Sequence, residues 1–388
     1  MIHAPVTLRR LTLAPDARGA GWRVTRETGP DPAQALVGRT PQEAGRLAPL
    51  VFNLCGAAHG HAAAAALGLP AQSDAAAMAR ESVRDHALAI LHAWPAALGA
   101  SPDRETLRLL ARPDGDRAFA TALVGDGSDL SGFSLAGLEA WLHAAPTGTA
   151  RLLARIRHEV DPAQGRAGLP ELTEQDVADA LAGLTSPLAG EGAARRAVGE
   201  GVGTARQGAA GAARLCHPSP LPSPTRGEGI ERSGTGRPAA SVLHETQLRE
   251  TSALGRVGRT PLLAALLAAE GPSLFVRLIA RLVDCLAALR PAGAGLPALP
   301  PALASGLGLA PAARGLLGHG ARVEGGRVAA YRILSPSAWN LAPGGLLDRA
   351  FAALAPGPDA RRLAPLLISA LNPCVPVSLA FAEDFAHA

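Results

Sequence analysis

Gly38-Arg39-Thr40-Pro41-Gln42-Glu43-Ala44, followed shortly by Phe52-Asn53-Leu54-Cys55-Gly56-Ala57-Ala58-His59, is the stretch on which the reading of this chain turns. Thr40 has the character of a helix N-cap, Pro41 suits the first helical position, and Glu43 is spaced to reach back to the cap. The pattern predicts a helix running through Leu47, Leu50, Val51, Leu54 and Cys55 into the Ala-rich stretch before Gly68. Four residues separate Cys55 from His59, which puts both on one side of that helix.

Outward from this segment the chain is mainly helical. The run Pro5 to Leu13 alternates as a strand does. Asp74 opens a helix reaching about Trp94-Pro95, and further helices fit 102–112, 134–158 and 172–184. The most apolar region, Pro261 to Leu289, contains Glu270, Arg277, Arg281 and Asp284, charges that argue for buried helix and against a membrane span. Pro-rich loops follow to Pro311. Gly318–Val323 and Arg327–Leu334 flank Glu324-Gly325-Gly326, which is a hairpin signal. A last helix from about Asp359 to Ala370, with Pro365 inside it, leads to Asn372-Pro373-Cys374-Val375-Pro376-Val377.

Three parts are expected: 1–187 with the Cys55/His59 motif, a low-complexity and disordered insert over 188–240, and 241–388, the two outer parts forming one domain. The insert is rich in Gly, Ala, Arg, Ser and Pro, and lacks the apolar area needed to order itself.

Composition narrows the function classes. The chain has 388 residues, 48% hydrophobic but only 3% aromatic, so its core must be built from Ala, Leu and Val. All 37 basic residues are Arg, yet the net charge is only +4, and no Arg cluster is interleaved with stacking aromatics; nucleic-acid binding is not expected. No signal peptide is evident at Met1-Ile2-His3-Ala4-Pro5, which predicts a cytoplasmic protein. The cysteines at 55, 216, 285 and 374 show no close pairing, and in that compartment they stay reduced. Cys285 reads as core, and Cys216-His217 falls in the insert.

The segments around Cys55 and Cys374, together with Ala313-Arg314-Gly315-Leu316-Leu317-Gly318-His319 and Ile333-Leu334-Ser335-Pro336-Ser337-Ala338-Trp339-Asn340, resemble in order and spacing the large subunit of nickel-iron hydrogenases. There, each end of the chain supplies a Cys-x-x-Cys, and the four thiolates hold nickel, two of them bridging to iron. Here Phe52 and Val377 stand where two of the thiols should be. Neither side chain donates a lone pair, so the four-thiolate nickel site cannot form. The Asp of the family's Asp-Pro-Cys is Asn372, its N-terminal Arg-x-Glu-Gly-His has no counterpart in residues 1–38, and Ala380 replaces the histidine before its processing site. No maturation cleavage is expected.

The pattern is similar to the hydrogenase expression/formation proteins of the HupK type, relatives of the large subunit. The resemblance implies a mainly α fold with a small β element (α+β), a large-subunit-like helical bundle that brings Cys55 and Cys374 together. It implies a non-catalytic maturation factor, a scaffold or carrier on which an Fe(CN)2CO unit is held transiently before transfer, with no nickel. Cys55 and Cys374 would be the thiolates for iron. Arg314 would address one cyanide and Ser337 the other, Pro336 would form an apolar wall, and His59 would donate to Cys55. The implied partners are hydrogenase assembly chaperones and the apo large subunit. The competing readings are a divergent hydrogen-oxidising large subunit and a metal-free docking subunit for hydrogenase assembly.

Overall fold

In a computed structural model describing residues 6–16, 18–70, 74–126, 130–185, 248–290 and 305–381, the capping box forms. The Glu43 amide donates to Thr40 Oγ1 (3.3 Å), the Thr40 amide donates to Glu43 Oε2 (2.9 Å), and helix α1 spans Pro41–Val51. The 188–240 insert, with Cys216 and His217, lies outside the described residues.

The continuous helix expected through Cys55 is broken. Pro49 lies inside α1 and has no N–H for the Gly45 carbonyl. The chain leaves helical geometry at Phe52, makes a 3-10 turn over Asn53–Cys55, and restarts as α2 (Gly56–Ala66). The new helix start is satisfied from outside: the Glu81 carboxylate accepts from the amides of Ala57 (2.7 Å) and Ala58 (3.3 Å). An anion at a helix N-terminus is favoured both by those free N–H groups and by the helix dipole. Cys55 therefore sits at the start of α2 rather than within a long helix.

Glu81 belongs to α3 (Ala75–Leu88), capped by Asp74, which runs through a π turn at Ala89–Ala93 into α4 (Trp94–Ala97). Then come α5 (Arg104–Leu109) and α6 (Gly115–Val124). The helix expected over 134–158 is two, α7 (Leu135–Ala144) and α8 (Gly148–Glu159). Ala145 takes a left-handed conformation (φ 44°), Pro146 follows, and Thr147 caps α8. α9 covers Glu174–Thr185.

Beyond the insert lie α10 (Ala253–Val257), α11 (Pro261–Glu270) and α12 (Leu274–Ala288), the last two separated by Gly271 at φ 67° and by Pro272. The C-terminal region adds α13 (Pro336–Asn340), α14 (Leu346–Ala352) and α15 (Ala360–Leu371), the last containing Pro365. No helix among the described residues is long and apolar enough to cross a membrane.

Two three-stranded sheets complete the fold. One has order β2-β1-β6, from β1 (Val6–Pro15), β2 (Trp22–Pro30) and β6 (Val377–Leu379); β6 pairs parallel to β1 through Leu11, Thr12 and Leu13. The other has order β3-β4-β5, from β3 (Leu307–Ala312), β4 (Gly315–Glu324) and β5 (Arg327–Leu334). The hairpin at Gly325-Gly326 is the expected one, both glycines having positive φ. Most of the loop expected up to Pro311 lies outside the described residues, and its last residues, from Leu307, form the strand β3. The strand lies so close to α2 that a Cβ on Gly308 would fall 1.9 Å from the Ala62 carbonyl oxygen. The Ala-rich sequence of α2 and this glycine are one adaptation: small residues let the helix backbone settle on the strand.

Helix α12 is the centre of the main core. Nearly all of it is buried, including Arg277, Arg281 and Asp284. Spaced i, i+4, i+7, these three form a stripe along one face. Arg277 makes a bidentate pair with Glu250 (2.5 and 3.0 Å), just after the insert. Asp284 accepts from Arg256 (2.5 and 3.0 Å) and pairs with His86 Nε2 at 2.6 Å. Arg281 donates through Nε to His86 Nδ1 (3.1 Å) and through Nη1 to the Ser369 carbonyl (2.5 Å). Because Arg281 donates to Nδ1, that nitrogen carries a lone pair and His86 is neutral. Helices α3, α10, α12 and α15 are thus tied together through a buried polar seam.

Burial works to raise the Asp284 carboxyl, but Arg256 and His86 overcome it and hold the group well below the usual carboxylate range. Asp284→Asn removes that charge and leaves guanidinium groups uncompensated in the core. We expect a loss of about 3–5 kcal/mol of unfolding free energy in equilibrium urea denaturation. Stability will also fall on acidification. Burial lowers the pKa of His86, of His59 (to about 4) and of His319, so each stays neutral when folded and takes a proton when unfolded. Their contribution is complete above the unfolded value of ~6.5 and is withdrawn as pH falls below it; for His59, neutral in the folded protein down to about 4, this amounts to about 1.4 kcal/mol between pH 7.5 and pH 5.5, and His86 and His319 act in the same direction. Urea denaturation should therefore show lower stability at pH 5.5 than at pH 7.5; coincident curves would refute this.

Candidate metal-carrier site

The site begins at a tight turn. Ala312 pairs with Gly315, so Ala313 and Arg314 form the two-residue connection between β3 and β4. Gly315 sits at φ 133°, and a Cβ there would lie 2.3 Å from Thr251 Oγ1, so no other residue fits. Arg256 pins the turn from below, donating to the carbonyls of Ala312 (2.9 Å) and Ala313 (2.8 Å). The Arg314 side chain is consequently aimed, and it is largely buried.

Arg314 Nη1 donates to Cys55 Sγ at 3.2 Å, and Nη2 donates to Asp85 Oδ1 at 2.6 Å. Its Nε–H is buried with no partner. Asp85, on α3, also receives Arg281 Nη2 (2.9 Å) and Asn372 Nδ2 (2.6 Å) on its other oxygen. Burial pushes the Asp85 carboxyl up, and Arg281 and then Arg314 outweigh it, so the group is held below its ordinary value as a carboxylate. An Asp at 372 would face Asp85 with like charge, whereas the amide of Asn372 donates to it. Asn372 takes a left-handed conformation (φ 51°) at the end of α15 and turns the chain toward Cys374.

The backbone N–H of Cys374 donates to Ser337 Oγ at 2.9 Å. Ser337 lies on the short helix α13, with Pro336 at its first position, and both are buried. That helix is fixed by Asn340, whose side chain accepts from the Thr251 amide (3.1 Å) and donates to the Thr251 carbonyl (2.6 Å). Cys374 lies within electrostatic reach of both Cys55 and Arg314, so the two sulfurs and the guanidinium share one neighbourhood. Burial pushes the Cys55 thiol up to about 11, against the opposing pull of Arg314. Without a cation, this sulfur carries its proton.

Of the residues singled out in the sequence, Cys55, Arg314, Cys374, Pro336 and Ser337 are thus linked by direct contact, shared neighbourhood or adjacency. His59 is placed differently from expectation. Its Nδ1 is bonded to His319 Nε2 (2.9 Å) and its ring stacks on Phe52 (centroids 4.7 Å apart), while the donor on Cys55 is Arg314. The physical reason is the break at Phe52–Cys55: once the two residues no longer share one regular helix, the four-residue spacing ceases to align them. Cys285 is fully buried core, as expected.

Asp85, Glu81 and His319 were not singled out by the sequence reading. Asp85 looks like any carboxylate on an amphipathic helix; its available signal was the charged stripe of α12, which demands buried counter-charges elsewhere. Beside Arg314 a cavity of about 660 Å³ opens, lined by Asp85, His92, Arg281, Asn372, Pro373 and apolar side chains. Among the described residues no cluster of three or more His, Cys, Asp or Glu is arranged to hold a metal. The thiols at this site are those of Cys55 and Cys374.

A family model described as nickel-dependent hydrogenase matches residues 235–350. HupK of Rhodobacter capsulatus, a hydrogenase expression/formation protein, is 32% identical over 368 residues, covering 93% of this chain and 93% of its own length. HoxV of Cupriavidus necator, with the same description, is 31% identical over 394 residues, covering 91% and 92%. The Ni-Fe-Se hydrogenase from D. vulgaris Hildenborough in the reduced state superposes with a TM-score of 0.50 at 15% identity, over 92% of this chain and 93% of that one, which shows a shared large-subunit-like fold. Mainly α with small sheets, built on that fold and close in sequence to HupK and HoxV, the chain belongs to the family of hydrogenase expression/formation proteins.

Proposed function

We propose that this protein is a non-catalytic hydrogenase maturation factor that carries the Fe(CN)2CO unit of a nickel-iron active site on Cys55 and Cys374. The observation that carries the reading is the arrangement at Arg314: one guanidinium nitrogen on Cys55 Sγ, one on Asp85, and a buried Nε–H without an acceptor. A buried donor left unsatisfied is costly, and an incoming acceptor removes that cost. The anionic nitrogen of an iron-bound cyanide is such an acceptor.

Charge supports the same cargo. In the connected seam, Arg256, Arg281 and Arg314 face the carboxylates of Asp85 and Asp284, with His86 neutral. The seam alone carries one positive charge more than its carboxylates, while the Glu81 carboxylate also bears on Cys55. A dithiolate iron dicyanide is an anion, which the Arg314 guanidinium suits better than it suits a bare divalent cation.

Two thiolates and three diatomic ligands leave iron five-coordinate. The open position gives a thiol of a partner chaperone a route to exchange, which is what a carrier needs. Ser337 accepts from the Cys374 amide through its oxygen and keeps its own hydrogen to donate to the second cyanide; Pro336 offers a wall without an N–H. With Phe52 and Val377 in place of two thiols, nickel finds no four-thiolate set. In this reading the partners are hydrogenase assembly chaperones and the apo large subunit, and the work is done in the cytoplasm.

Infrared spectroscopy of anaerobically purified protein, produced with the hydrogenase assembly system, tests the proposal. Cyanide and carbonyl stretches are expected; they should vanish in Cys374→Ser and Cys55→Ser, and the cyanide bands should shift in Arg314→Leu. A silent spectrum under conditions where the partner hydrogenase matures, or unimpaired maturation with both cysteines replaced by serine, would overturn it in favour of a metal-free docking role.

A further inference from the structure

Behind Cys55 runs a second polar chain that the metal reading does not use. Tyr331 Oη lies 2.7 Å from His319 Nδ1, and His319 Nε2 lies 2.9 Å from His59 Nδ1. The three residues come from β5, β4 and α2, and all are buried, with Tyr331 3%, His319 0% and His59 8% exposed. Phe52 stacks on the face of the His59 ring, with an interplanar angle of 17°.

Hydrogen counting along this chain allows two arrangements. In the first, the phenol O–H donates to His319 Nδ1, His319 Nε2–H donates to His59 Nδ1, and His59 carries its hydrogen on Nε2. In the second, every bond is reversed: His59 Nδ1–H donates to His319 Nε2, His319 Nδ1–H donates to the phenol oxygen, and the phenol hydrogen points into the core without an acceptor. His319 is the other group on the Tyr331 hydroxyl, and burial keeps that phenol protonated by pushing its pKa up. Burial likewise keeps both imidazoles neutral, so each has one N–H to place. Each arrangement ends on one donor without an acceptor in the chain, His59 Nε2–H in the first and the phenol hydrogen in the second. His59 Nε2 is not among the buried side-chain atoms left without a partner, so the first arrangement strands no donor in the core, whereas the second strands the phenol hydrogen there.

We propose that Tyr331 and His319 are positioning residues that lock His59 in its Nε2–H tautomer, one helical turn after Cys55, so that the imidazole presents a hydrogen-bond donor and withholds a ring lone pair from any metal. Resting on the carrier reading above, this adds a rule of selection: whatever meets His59 Nε2 is an acceptor and not a cation. It also explains why a histidine beside a cysteine here does not constitute a Cys/His metal pair. The lone pair that a metal would need is spoken for at Nδ1 by His319 and absent at Nε2.

The test is long-range proton–nitrogen correlation on metal-free protein labelled with 15N in its histidine rings, with signals assigned by their loss in His59→Gln and His319→Gln. Both rings should appear as single Nε2–H tautomers at neutral pH, with a through-hydrogen-bond coupling from His319 Nε2–H to His59 Nδ1. In Tyr331→Phe, His319 loses its donor, both arrangements leave one unsatisfied nitrogen, and His59 should become a mixture with comparable amounts of the Nδ1–H form. A native His59 carrying its proton on Nδ1, or a Tyr331→Phe protein with His59 unchanged, overturns the proposal. Should Tyr331→Phe fail to fold, the native tautomer and the direction of the coupling decide alone. Because no iron is present in this measurement, its outcome is separate from that of the infrared experiment.

Discussion

A single largely buried carboxylate, Asp85, organises the site. It collects Arg314 on one oxygen and Arg281 and Asn372 on the other, so three chain segments far apart in sequence converge on one charge. Charge-assisted bonds in a low-dielectric interior are directional as well as strong. Their consequence here is geometric: the guanidinium that meets Cys55 and the turn that leads to Cys374 are referenced to the same atom pair. Moving either means leaving a buried charge poorly compensated.

The seam behind Asp85 extends that logic into the core. Arg281 passes the connection to His86, and Asp284 joins His86 to Arg256, which in turn holds the carbonyls of the Arg314 turn. The route from Asp85 thus returns to Arg314 as a loop of polar contacts through α12 and α10. Burying so many ionised groups contributes little net stability compared with apolar packing. What it offers is a unique arrangement, since a shifted packing of α12 would strand several charges at once.

Much of this architecture was legible in the residues. The Thr40–Glu43 capping box, the Gly325-Gly326 hairpin and the buried character of the 261–289 region are local signals, and local chemistry determined them. The break at Phe52 was not read, although Pro49 and Gly56 both weaken a helix there; helical periodicity on either side masked a change of axis. The strands β2 and β6 were missed because one is half exposed and the other is three residues long, paired to the far end of the chain. For the site, cysteines and arginine were found through motif spacing. Asp85 and His319 were not, because a buried charge or a buried imidazole is defined by its partners, and partners are a tertiary property. Arg277, Arg281 and Asp284 were noticed only as obstacles to a membrane span, whereas their i, i+4, i+7 spacing already described a polar seam in search of counter-charges.

The parallel pairing of β6 with β1 has a reach beyond the sheet. Cys374 lies in a short bend tethered upstream by α15 and downstream by hydrogen bonds to the amino-terminal strand, including the Leu11 amide to the Pro376 carbonyl at 3.0 Å. The bend is therefore clasped at both ends, and one half of the clasp is made by residues near the opposite terminus. Displacing the bend that holds this cysteine therefore means breaking its pairing with Leu11–Leu13, so the position of the sulfur is tied to backbone more than three hundred positions away.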